Sequence, residues 1–136
     1  MELQEWIDKY NAKTDTPFER DHRYKLFFIP DKGFCEITCG ISEDMVIAKQ
    51  MCGDALFWRR VVEIIAQATG RRMCGTYCIR HIKPYIRLFG FTVEHTENTV
   101  LGKRYFCIDK DGKHGRCSPA WATKNGERAY YITWEA

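Results

Sequence analysis

The stretch MVIAKQMCGDALFWRRVVEIIAQATG, residues 45–70, decides how this chain is read. It opens on a short apolar run ending at Gln50, passes through a glycine-containing turn, QMCGDA, and enters a long amphipathic segment. Phe57, Val61, Ile64, Ile65 and Ala68 recur at helical spacing, with Arg59, Arg60, Glu63 and Gln67 on the opposite, polar side. Gly70 suits the helix end. RMCGTYCI then reads as a strand, so residues 45–79 spell strand, helix, strand. That order predicts a crossover with local parallel pairing. A helix entered from such a turn presents amides with no partner inside it, and these can cradle an anion.

Upstream, Leu3, Trp6, Ile7 and Tyr10 form one helical stripe, which predicts a helix over residues 2–11. TDTPFERDHR reads as a loop, and YKLFFI and FCEITCG as strands joined by a PDKG hairpin turn. Downstream, Pro84 is suited to open a short helix, PYIRLF, that Gly90 closes. FTVEH, KRYFCID and RAYYITW supply further strands, with DKDGK and KNGE as turns. The expectation is an α/β fold: a single mixed, twisted sheet of about six or seven strands flanked by helices. The whole of residues 1–136 is read as one domain, with its core over 24–107 and its C-terminal strands over 103–134.

Composition narrows the function classes. A net charge of +3 permits an anionic ligand and argues against nucleic acid as the main partner. No apolar run approaches membrane-spanning length, so no membrane partner is expected. MELQEWIDKY carries acids and lacks the order of an export signal, which gives a cytoplasmic expectation. Seven cysteines then read as reduced, mostly buried thiols. Cys35 and Cys39, like Cys74 and Cys78, are four apart in strand-like runs, a spacing that suits one sheet face more than a zinc loop, and no metal is expected. DKDGK lacks the later ligands of a calcium loop.

The order of elements resembles the GNAT superfamily of acyl-CoA-dependent N-acyltransferases. QMCGDA matches that family's pattern Q/R-x-x-G-x-G/A at Gln50, Gly53 and Ala55, between a strand and a long helix. YIRLFGF, residues 85–91, looks like the family's short helix ending in Gly-Phe. The chain also looks like small GNAT-like proteins encoded in prophages, which would place it in a bacterial cell or a phage's bacterial host. The resemblance implies acetyl-CoA as acyl donor and an amine as acceptor. It implies that amides of Met51, Cys52, Gly53, Asp54 and Ala55 bind the pyrophosphate, and that the main chain of Val46, Ile47 and Ala48 lines the pantetheine arm. Arg59 and Arg60, one turn on, could reach outer phosphates, although such residues also suit a solvated helix face. Asp54 is a good N-cap, and its charge opposes a diphosphate unless it points outward.

Members of this family that use a tyrosine to reprotonate the CoA thiolate place it four residues before the glycine of the Gly-Phe pair. That position is Ile86 here, and Tyr85, one residue earlier, is the candidate acid. Glu36, among apolar and aromatic neighbours, is the first candidate base and Asp44 the second. Glu36 on a solvent-facing strand side and Tyr85 as a packed aromatic are the plainer alternatives. Two further functions stay open: a GNAT-like scaffold that acts by binding another protein, and a nucleic-acid surface built from RRM and IRHIKPYIR. Tyr130, Tyr131 and Trp134 could form a partner surface, a homodimer included.

Overall fold

The computed structural model describes residues 1–14, 16–79, 81–123, 126 and 128–136. Three helices, α1 (Leu3–Lys13), α2 (Ala55–Ala68) and α3 (Ile82–Leu88), accompany eight strands among these residues. The strands are β1 (Lys25–Ile29), β2 (Gly33–Thr38), β3 (Met45–Gly53), β4 (Met73–Cys78), β5 (Phe91–Thr99), β6 (Gly102–Asp109), β7 (His114–Ala122) and β8 (Arg128–Glu135). They form one mixed sheet in the order β1-β2-β3-β4-β8-β7-β6-β5. Only β3 and β4 pair in parallel, because α2 carries the chain from one to the other.

The two sides of the sheet follow from the registers. Cys35, Ile37, Val46, Ala48 and Cys74 share a core with Trp58, Val62 and Ala66 of α2. Phe34 alternates with Cys35, so it points to the opposite face, where the rings of Tyr10 of α1 and Phe18 meet it tilted and edge-on at 5.7 and 5.1 Å. Thus α1 and α2 cover opposite faces at the β1–β4 end. The seven cysteines are all free, and five are buried. Burial, with Glu63 nearby, pushes the Cys74 thiol up to about 12, so this side chain packs as a small apolar group. No helix among the described residues is long and apolar enough to cross a membrane.

Several elements depart from the sequence reading. The sheet has eight strands, because β7 carries Gly115 and Pro119 and shows no clean alternation. Its pairing with β6 ends at Cys117, so the missing N–H of Pro119 falls where β7 has β8 as its strand partner. Helix α3 starts two residues before Pro84, whose ring sits in the first turn, where no amide is needed. Helix α1 runs two residues past the expected end. Most of the KNGE turn lies outside the described residues.

The inward face of α2 is rotated from the one its apolar residues suggested: Phe57, Val61 and Ile65 pack part-buried at its border, and Trp58, Val62 and Ala66 are fully enclosed. Arg59 and Glu63 are buried at 7% and 4% exposure, whereas Ile64 is 50% exposed. Arg59 donates to Glu63 at 2.9 Å and to the Phe89 carbonyl at 2.7 Å, pairs with Asp109, and lies 4.2 Å above the Phe91 ring. Glu63 also accepts from the Trp134 indole at 2.9 Å. Tertiary partners just after α3 and on β5, β6 and β8 have satisfied two charges that the helix alone would leave in water.

One buried group lacks this compensation. The Thr76 hydroxyl on β4 has no hydrogen-bond partner among the described residues, although the residue is fully buried. Thr76→Val keeps the shape and removes the stranded hydroxyl. It should raise stability by about 1 kcal/mol, read by urea unfolding, and a loss of that size would reveal a partner for the hydroxyl.

Candidate functional site

Strand β3 stays beside β4 only over residues 45–47, which pair with 73–75. Beyond that point β3 is held by β2 and β4 by β8, and the parallel neighbours part. The cause is visible in the register. Ile37 faces Ala48 and Cys35 faces Met51, so β3 spends one extra residue, at Lys49 and Gln50, opposite Glu36. Such a bulge bends its strand and sharpens its twist. An open cleft of about 1050 Å³ lies where the two strands no longer pair with each other.

The lining comes from both sides of the sheet. Met51, Ala55, Leu56, Tyr85 and Leu88 form the side nearer α2 and α3. Tyr10 and Lys13 of α1, Glu19, Arg23 and Tyr24 of the following loop, and Tyr77 and Trp121 form the other. Lys49 through Ala55 border the cleft continuously, so the QMCGDA segment lies on its wall.

That segment is less of a turn than its sequence suggests. Residues 50–53 remain in β3, and Gly53 faces Gly33 across the β2–β3 ladder. Only Asp54 separates strand from helix. Its amide donates to the Lys32 carbonyl at 3.0 Å, and its carboxylate accepts from the Phe57 amide at 3.1 Å. The Trp58 amide bonds the Asp54 carbonyl at 3.0 Å. The Ala55 amide takes no part in these bonds. The Phe57 amide is the largest influence on the Asp54 carboxyl and, with Lys32 at 3.3 Å, holds it below its usual value despite some burial. A carboxylate of the chain itself therefore stands at the N-terminus of α2.

Gln50, the first residue of the hexapeptide pattern, is spent on the fold. Its amide nitrogen donates to the Glu19 carbonyl at 2.6 Å and to the Glu36 carboxylate at 2.5 Å. Glu36 is fully buried, accepting also from Arg20 at 2.6 Å and the Asp21 amide at 2.9 Å. It neither faces solvent nor lines the cleft; it ties the loop after α1 to the bulge. Asp44 is paired with Arg72 at 2.9 Å on the surface, also off the cleft, and that hydrogen bond lowers its pKa.

Tyr85 does reach the cleft, with its hydroxyl 3.8 Å from the Met51 sulfur. The side chains of Val46, Ile47 and Ala48 are buried within the sheet's two covers. Arg59 is locked in the network described above. Arg60 is 62% exposed beside Glu63, 3.6 Å away, and does not line the cleft. Sequence reading missed Glu19 and Tyr24 of the loop after α1, Lys49 of β3, Tyr77 of β4 and Trp121 of β7, which share no local pattern. Among the described residues no cluster of three His, Cys, Asp or Glu side chains could hold a metal ion. No family model, curated protein or solved structure matches this chain.

Proposed function

We propose that this chain is a GNAT-like N-acyltransferase that moves an acetyl group from acetyl-CoA to an amine. The observation that carries the reading is the parting of β3 from its parallel neighbour beside a bulge, with an open cleft between them. A pantetheine arm is thin, extended and amide-bearing. It suits a groove between two strands that have stopped pairing with each other.

Acetyl-CoA brings an activated thioester; the chain supplies orientation and proton traffic. Main-chain amides of β3 near the bulge would polarise the thioester carbonyl. As the C–N bond forms and the C–S bond breaks, Tyr85 would return a proton to the leaving sulfur. With Glu36 and Asp44 off the cleft, the amine's proton passes to Glu19 or to water. The Ala55 amide remains for a phosphate, and the Asp54 charge keeps that hold weak.

Acetyl-CoA should raise the melting temperature, by the equivalent of about 2.7 kcal/mol at a hundredfold excess over Kd. Ala55→Glu places an acid where the helix favours one, so it should fold normally and lose most of the shift. Asp54→Asn keeps a capping side chain and should enlarge it. Tyr85→Phe should keep the shift and cut turnover about a hundredfold. No shift in the wild type at millimolar acetyl-CoA would end the acyltransferase reading. One observation favours the second reading, a GNAT-like binding protein: Lys32 and Asp54 already take amides that a diphosphate would need.

A further inference from the structure

The cleft has a half that acetyl transfer leaves unexplained. On the α1 side, Tyr24 precedes β1, Tyr77 lies on β4 and Trp121 on β7, and all three line the opening. The rings of Tyr77 and Trp121 are 5.6 Å apart at 52°. Trp121 is 50% exposed, a large apolar surface left in water beside a cavity. Tyr77 and Trp121 form an aromatic pair at this opening, which Tyr24, itself only 6% exposed, also lines.

The charges around these rings do not cancel. Among the described residues, Lys13, Arg23 and Lys49 line this half together with the carboxylate of Glu19. Asp21 does not line the cleft, yet Arg23 and Lys49 share it at 2.8 and 2.7 Å. Among the described residues these three cations face Glu19 and Asp21, while Asp54 on the cleft wall is paired with Lys32, which leaves one cation in excess. The Lys49 ammonium lies 5.7 Å from the Tyr24 ring centre, so surplus charge and aromatic surface are adjacent. A single surplus charge suits a carboxylate better than a phosphate dianion.

We propose that this half of the cleft takes a small molecule joining an aromatic ring to a carboxylate. Resting on the acyltransferase reading, the acetyl acceptor is then an aromatic amino-acid-like amine. The ring packs among Tyr24, Tyr77 and Trp121, and the carboxylate meets Lys49 and Arg23.

The test needs no acetyl-CoA. 3-Phenylpropionate and its neutral amide are titrated against the full chain by ligand-observed NMR. The acid should bind about tenfold tighter at low salt, and added salt should erase the preference. Lys49→Gln should weaken the acid about fivefold and leave the amide unchanged. Trp121→Ala, at an exposed position, should weaken both about tenfold. Equal binding of the two probes, binding of neither, or no effect of Trp121→Ala overturns the proposal. The acetyl-CoA melt separates the two readings. Preference for the acid without an acetyl-CoA shift keeps the ligand class and removes its role as acceptor. A shift without the preference overturns the ligand class alone.

Discussion

Gly53→Ala will destabilise the protein by about 3 kcal/mol, measured by urea or thermal unfolding. Gly53 has φ near 116°, and a Cβ there would lie 2.0 Å from the Lys32 carbonyl oxygen. Its neighbour across the ladder, Gly33, has φ near 100°, and a Cβ on it would meet the Cys52 carbonyl at 1.9 Å. The contacted atoms are backbone, so no side chain can swing aside. The two strands close together at this point, which is what lets Lys32 accept from the Asp54 amide and start α2. A Gly53→Ala protein within about 0.5 kcal/mol of wild type would mean the strands do not converge here. The glycine of the acyltransferase-like pattern is thus demanded by the fold whether or not a phosphate binds. A bulky Gly53 variant that lost acetyl-CoA binding would say little about ligands, and Ala55→Glu is the cleaner probe.

Arg59→Met will cost about 3–5 kcal/mol, because it leaves Glu63 and Asp109 buried without their shared cation. The Phe89 carbonyl also loses its donor, which loosens the joint between α2 and α3. Acid should expose the same network. Burial pushes the Asp109 carboxyl up, but Arg59 and the Lys113 and Asp111 amides outweigh it, and the folded-state pKa is lowered. A lowered carboxyl contributes stability above its unfolded value, about 3.9, and loses it as pH falls through the folded value. Wild-type stability should therefore drop below about pH 4, and Arg59→Met should show a shallower drop over that window. An equal acid slope in both proteins would uncouple Asp109 from Arg59.

Much of the scaffold was legible because its signals are local. The helical spacing from Phe57 to Ala68, the PDKG hairpin and the crossover at residues 45–79 are set by neighbours a few positions apart. β7 was not legible, since Gly115 and Pro119 break its pattern and only pairing with β6 and β8 makes it a strand. The burial of Arg59 was hidden for a similar reason: its partners Phe89 and Asp109 lie 30 and 50 residues away.

The candidate site divides along the same line. Composition and period determined that a strand, a capped helix and a second strand follow one another, because side-chain periodicity and end chemistry act within a turn or two. Where β3 leaves β4, which faces of α2 and β2 are covered, and which rings and charges surround the opening depended on tertiary structure. A bulge is an excess of one residue relative to a partner strand, and it does not exist until that strand is beside it. Glu36 looked like a base in isolation and became an anchor once Arg20 and Gln50 reached it. Trp121 looked like nothing in particular until the sheet order brought Tyr77 alongside.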